Sequence, residues 1–246
     1  MDQTVSAVSS YPPGVVTTGD LTPSKVKKAG SVLRRYMRDD NRVSQDQAIE
    51  AIHVIQTYRA LHQKPLVKAN NGLRSMVRTC GAEVRVTQRL KRMATILDKL
   101  KREPTLPMHK MQDVGGCRAV LDSIEEIRRV EARIRRNRDV VGYDDYIVTP
   151  RVSGYRGSHL VVLYDDRQIE IQLRTHVMHE WAITVERLSS RVGTNLKGDG
   201  DHAVQALMSA ISHAMAIEEG GGIVEPDLLS ALDELRSSAA PYLGRR

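Results

Sequence analysis

Along the chain, apolar and polar positions alternate with two periods, and the change of period sets out the elements. From 168 to 174 the side chains alternate strictly: Ile169, Ile171 and Leu173 point one way, Glu170, Gln172 and Arg174 the other. His159–Tyr164 precedes this run as a second β-type stretch, and Asp165-Asp166-Arg167 between them predicts a hairpin. The apolar set suits a core. The polar set puts a carboxylate, an amide and a guanidinium in a row. The plainer reading is a solvated strand face, which half-exposed antiparallel strands show routinely.

Helical spacing predicts the flanking elements. Thr22-Pro23-Ser24 reads as a helix start, followed by a basic helix over 25–38. A second helix is expected over 45–63, and 65–81 is ambiguous. Residues 85–102 predict one helix, with Val86, Leu90, Met93, Leu97 and Leu100 as its apolar stripe. Glu103-Pro104 ends it. A strand is expected at 117–121, a basic amphipathic helix at 124–136, a strand at 140–148 and a helix at 176–191. A loop over 197–200 leads to helices at 204–217 and 226–235, separated by Gly220-Gly221-Gly222. This order predicts an α+β protein, a mixed β-sheet packed by helices. The divisions expected are a flexible arm over 1–22, a helical region over 23–82, a core over 83–197 and an acidic helical extension over 198–246.

Composition narrows the function. No run of eighteen apolar residues is present, and the N-terminus lacks a signal pattern, so the expectation is a cytoplasmic protein with no membrane partner. Cys80 and Cys117 have no metal-ligand spacing, and Cys117 sits in an apolar run as a buried thiol. The net charge of +7 is uneven: the stretch 198–235 carries eight acids and no Lys or Arg, which leaves +15 elsewhere. A basic body suits a polyanion such as nucleotide phosphates or RNA, although a solvated surface alone gives charges of this size. Two carboxylates, Asp113 before Gly115-Gly116 and Glu170 in mid-strand, lie among these cations. Mg²⁺ commonly takes one or two carboxylates and leaves its other positions to phosphate and water.

Four stretches carry a resemblance: RLKRMATILDK at 89–99, DVGGCR at 113–118, DYIVTPRVSGYRGSH at 145–159 and EIQLRTHVMHEWA at 170–182. Together, over roughly 85–190, the chain resembles the synthetase domain of RelA/SpoT-type alarmone enzymes. The resemblance implies a nucleotidyltransferase-like mixed sheet with N- and C-terminal helical extensions. It also implies transfer of the β,γ-pyrophosphate of ATP to a ribose 3′-hydroxyl with Mg²⁺. By position, Arg89 and Arg118 correspond to the pair that sandwiches adenine, and Lys91, Thr95 and Lys99 to phosphate contacts. Asp113 and Glu170 correspond to the catalytic Mg²⁺ ligands, with Glu170 placed to accept the hydroxyl proton. Tyr155 corresponds to the residue stacking on the acceptor base, and Arg151, Gln172 and His179 to acceptor contacts.

The departures are Ser153, where housekeeping members have Asn, and Gly157, where they have Ser. No His-Asp dipeptide of the hydrolase motif occurs. The chain thus looks most like the toxin-like small synthetases of phages and toxin–antitoxin pairs. For that group the implied acceptor is the 3′-terminal adenosine of tRNA and the implied protein partner an antitoxin. Lys25, Lys27, Lys28, Arg34 and Arg35 are then the cations expected to hold the tRNA backbone. The alternatives are an alarmone synthetase using GDP or GTP, and an inactive tRNA- or partner-binding module, against which the retention of Asp113, Glu170 and Tyr155 argues.

Overall fold

A computed structural model describes residues 21–198 and 202–244. The flexible-arm expectation for 1–22 and the loop at 197–200 therefore fall largely outside the described residues. The architecture is α+β, as expected: one mixed five-stranded sheet with helices, in the strand order β1-β2-β5-β4-β3. In chain order come α1 (Pro23–Tyr36), α2 (Gln45–Ala60), α3 (Gln63–Thr79), β1 (Arg85–Leu90), α4 (Met93–Arg102) and β2 (Gly115–Leu121). They are followed by α5 (Ile124–Asn137), β3 (Val140–Asp145), β4 (Ser158–Tyr164), β5 (Arg167–Thr175), α6 (His176–Val192), α7 (Ala203–Glu219) and α8 (Pro226–Leu243).

The chain divides into two compact units, which cut across the linear divisions drawn above. The first is Met1–Leu73, Thr87–Cys117 and Val161–Glu170; the second is Arg74–Val86, Arg118–Leu160 and Ile171–Arg246. In the first, α1 starts as its sequence predicts: the Thr22 side chain accepts from the Lys25 N–H and Pro23 opens the helix. Ser44 and Gln47 close a capping box on α2. These helices bury Val26, Leu33, Ile52 and Ile55 with Ile96 and Leu100 of α4 in one cluster. Truncating any of these large buried side chains to Ala would cost about 2–5 kcal/mol. Gly30 is required there, because a Cβ would meet Met108 Cβ at 2.7 Å. Cys117 is 2 % exposed, and burial pushes its thiol up to about 12.

In the second unit Trp181, Val185, Val204, Leu207 and Met208 form a core with Tyr155. The β4–β5 hairpin turns at Asp165 and Asp166, whose φ of +47° and +59° is the geometry of a tight two-residue turn.

Three expectations need correction, and one ambiguous stretch is resolved. Residues 85–102 are not one helix: β1 occupies 85–90 and α4 starts at Met93. Val86 and Leu90 lie four apart, a spacing that fits one face of a helix and one face of a strand equally. The pairing of Lys91 N–H to Val114 O at 2.8 Å shows which period holds. Ile96, outside the expected stripe, is fully buried in α4. The strand from Val140 stops at Asp145, whose Oδ1 accepts from the N–H groups of Ile147 and Val148 and bends the chain out of the sheet. The ambiguous 65–81 stretch is α3, since Pro65 falls in the first turn, where its missing N–H costs nothing.

Candidate active site

In the first unit β1 hands over to α4 at Lys91-Arg92, and two short 3₁₀ turns, Met108–Lys110 and Gln112–Val114, lead into β2. That route sets Asp113 at φ −97°, ψ 25°, the sparsely allowed bridge region in which many active-site residues sit. Lys91 Nζ donates to Asp113 Oδ2 at 2.5 Å and Lys99 Nζ to Oδ1 at 3.2 Å. Burial pushes the Asp113 carboxyl up, but the two ammonium groups outweigh it and hold the pKa below the ordinary carboxylate value. Arg59 of α2 fixes the backbone here by donating from Nε to Lys91 O at 2.6 Å. Nothing in the local sequence around Arg59 marked it.

Glu170 lies on β5 beside Gly116 of β2. A Cβ on Gly116 would stand 3.5 Å from Glu170 O and 3.9 Å from Oε2, so glycine leaves this side of the carboxylate uncrowded. Arg89 and Thr95 are exposed, Arg89 on β1 and not on the expected helix. The donor chemistry fits Mg²⁺ held by one or two carboxylates and completed by phosphate oxygens. Among the described residues no group of three or more His, Cys, Asp or Glu forms an all-protein cage.

In the second unit a run of cations and aromatics surrounds Gln172. Arg118 Nε and Nη2 each approach Gln172 Oε1 at 3.4 Å, and Arg174 Nη2 donates to the same oxygen at 3.0 Å. Arg174 Nη2 also donates to the Tyr155 hydroxyl at 2.7 Å, and that hydroxyl pairs with His159. Arg151 Nη2 donates to Tyr146 OH at 2.6 Å and lies 4.4 Å over its ring. His179 on α6 has its pKa lowered by burial and by the charges of Arg118 and Arg174, and its Nδ1 has no partner among the described residues. Lys197 belongs to the same surroundings: burial pushes it down to about 8, with Arg174 and Arg118 adding to that against Glu186.

The geometry bears on two site expectations. Tyr155 is not an open stacking platform: it is 5 % exposed, with its hydroxyl tied to Arg174 and its ring packed edge-on to Tyr146 and His159. Tyr146, in the same stretch of sequence, is half-buried beneath Arg151. Of the cations expected on α1, Arg34 donates to Leu106 O at 2.7 Å and packs the helix down, and Arg35 pairs with Asp40 at 2.8 Å. Lys27 and Lys28 are exposed and Lys25 is half-exposed. Arg174, in contrast, was already on the polar face of β5 by alternation.

The first unit thus sets two lysines on one carboxylate and a second carboxylate beside a glycine. Residues 88–188 match a family described as the region found in RelA/SpoT proteins. The matched stretch is less than half of the chain. The chain is 36% identical over 124 residues to the GTP pyrophosphokinase YjbM of Bacillus subtilis, covering 45% of this chain and 58% of that protein. It is 30% identical over 113 residues to the GTP pyrophosphokinase of Escherichia coli, covering 44% of this chain and 15% of that protein. The chain thus spans well under two thirds of these relatives' own length. The structure is similar to small alarmone synthetase 1 of Bacillus subtilis bound to its product pppGpp. The TM-score is 0.55 with 26% identity, over 75% of this chain and 99% of that one. It has the fold of small alarmone synthetase 2 from the same organism, with a TM-score of 0.57 at 19% identity over 73% and 98%. Among the described residues no helix is long and apolar enough to cross a membrane.

Proposed function

We propose that this chain is an ATP-dependent pyrophosphokinase that transfers the β,γ-pyrophosphate of ATP to a ribose 3′-hydroxyl. The observation that carries the reading is the Lys91–Asp113–Lys99 cluster, together with Glu170 beside Gly116. Phosphoryl-type transfer is catalysed mainly by positioning and by charge, with little covalent work for the protein. On this reading Lys91, Lys99, Arg89 and Thr95 receive ATP, with Arg118 against the adenine. Asp113 and Glu170 hold Mg²⁺, which supplies neutralisation of the phosphate charge. Glu170 takes the hydroxyl proton. Arg151, Gln172, His179 and the Tyr155 loop serve the acceptor.

The acceptor is a guanosine di- or triphosphate. The names of the relatives support this, as does the basic run Arg118, Arg174 and Lys197, which suits a phosphorylated nucleotide. A second reading, a growth-arresting toxin that modifies the 3′-terminal adenosine of tRNA, is favoured by one observation. α1, with Lys25, Lys27 and Lys28, and α4, with Lys101 and Arg102, share one packed cluster and so bring their cations onto one body. Several neutralised phosphates would make such binding fall steeply with salt. Purified protein given Mg²⁺ and β,γ-labelled ATP with GDP, GTP or bulk tRNA tests both. Label in a guanosine tetra- or pentaphosphate supports the first reading, label at the tRNA 3′ end the second, and label in no acceptor refutes the pyrophosphokinase assignment.

A further inference from the structure

The loop Arg151–Gly157 is held from outside the region matched to the RelA/SpoT family, which ends at residue 188. The holding element is α7. Ser209 Oγ donates to Val152 O at 3.1 Å and Ser212 Oγ to Gly154 O at 2.6 Å. Gly154 has a φ of +85°, and a Cβ there would meet Ser209 Cα at 2.7 Å, so loop and helix backbones approach as closely as glycine permits. Trp181 of α6 donates from Nε1 to Met208 O at 2.8 Å and braces the same turn of α7.

At the end of α7 stands Glu219. Its Oε2 accepts from Arg156 Nη2 at 2.7 Å, and its Oε1 accepts from the Thr175 hydroxyl. Arg156 is 5 % exposed, the Glu219 side chain 11 %, and Arg156 Nε has no partner among the described residues. A buried guanidinium with so few partners depends heavily on its carboxylate. Thr175 also caps α6, accepting from the Met178 N–H at 3.3 Å. One carboxylate therefore ties the residue after Tyr155 to the helix start that follows β5.

We propose that Glu219 is a positioning residue for the acceptor loop, acting through Arg156 and supported by Ser209 and Ser212. α7 is on this account part of the acceptor machinery and not an appendage. α7 sets where the 151–157 backbone stands and so sets how the acceptor nucleotide is held, while ATP binding does not depend on it. The role of the loop rests on the pyrophosphokinase reading; the tethering of the loop does not.

The test uses the full chain and two variants, Glu219→Gln and Ser212→Ala. Glu219→Gln removes the charge but keeps the shape, and is expected to raise the KM for the acceptor roughly tenfold, the scale of one lost charge-assisted hydrogen bond. The KM for ATP is expected to stay within about twofold of wild type. Ser212→Ala, which deletes a single hydroxyl, is expected to shift the acceptor KM a few-fold in the same direction and serves as the deciding variant if Glu219→Gln does not fold. Amide hydrogen exchange gives a readout independent of activity: the 152–157 amides are expected to exchange roughly tenfold faster in both variants, with α1 and α2 unchanged. Wild-type exchange in the loop and an unchanged acceptor KM in the folded variants would overturn the proposal. Equal loss of ATP and acceptor affinity would also overturn it, since that marks general damage. If wild-type protein transfers nothing, the pyrophosphokinase reading fails while the exchange result still decides the tether.

Discussion

Replacing Asp113 by Asn removes one charge and almost no volume, which separates its two duties. Lys91 Nζ lies 2.5 Å from Asp113 Oδ2, with the Lys91 side chain 8 % and the Asp113 side chain 22 % exposed. Removing one partner of a closed ion pair commonly costs about 3–5 kcal/mol, because the other charge stays buried without compensation. Asp113 is a fifth open to water and Lys99 shares it, so we expect roughly 2–3 kcal/mol here. In a chain of 246 residues that corresponds to a fall in melting temperature of about 5–10 °C. Lys91→Met should cost less, since it leaves Lys99 on Asp113. The double variant should recover part of the loss of Asp113→Asn, because it also removes the lysine whose charge that substitution leaves buried without its partner. Transfer from labelled ATP should be abolished in Asp113→Asn and should stay abolished in the double variant if the carboxylate acts on Mg²⁺. Thermal melts and single-turnover assays on the four proteins form one cycle. An Asp113→Asn protein that melts with wild type refutes the pairing, and near-wild-type transfer at saturating Mg²⁺ refutes the metal role. Restored transfer in the double variant would mean that Asp113 does no more than restrain Lys91.

Other perturbations follow from the same geometry. Glu170→Gln should lower kcat by roughly 10²–10⁴-fold as a lost general base; full activity in that variant would remove Glu170 from the chemistry. Gly154→Ala should destabilise by about 2–4 kcal/mol, combining a positive φ with the contact to Ser209 Cα; a wild-type urea midpoint would contradict the loop geometry. His62, 1 % exposed, is pushed down by burial to about 4 from 6.5, so between those values the unfolded chain binds more protons than the folded one and stability falls as the pH falls. The loss should approach about 3 kcal/mol below pH 4 and should be absent in His62→Gln; a pH-independent urea midpoint from 7 to 4.5 in wild type would rule this out. Asp113, whose pKa is also lowered, contributes stability present above the ordinary 3.8 and lost only at more acidic pH, so the two windows separate.

What the sequence disclosed of this molecule was whatever could be carried by local period and local chemistry. The β5 alternation put Glu170, Gln172 and Arg174 on one face, and the structure pairs Arg174 with Gln172. The start of α1 at Thr22-Pro23 was legible because capping is a local interaction. The strand at 85–90 was not, because an apolar pair four apart belongs to both periods and only the pairing of β1 with β2 decides between them. The same limit explains the site. Lys91, Lys99 and Asp113 could be named one by one from motif, but the hold of both lysines on one carboxylate depends on a turn of the chain between 103 and 112 that no periodicity describes.

Burial was the other quantity that sequence could not supply. Tyr155 and Arg34 have side chains that bind ligands when exposed and hold structure when enclosed, and each is drawn inward by a partner remote in sequence: Tyr155 by Arg174 at nineteen residues' separation, Arg34 by Leu106 at seventy-two. An aromatic or a cation in a recognised stretch therefore identifies a neighbourhood and not a contact. In this chain Arg151 bonds Tyr146, Arg174 bonds Tyr155, and Ser212 of α7, a helix whose own sequence carries none of the quoted motifs, bonds the Gly154 carbonyl. On the pyrophosphokinase reading, acceptor selectivity is then as much a property of the residues that hold the loop as of those that touch the nucleotide. A substitution on α7 that leaves every motif residue in place should still move the acceptor constants.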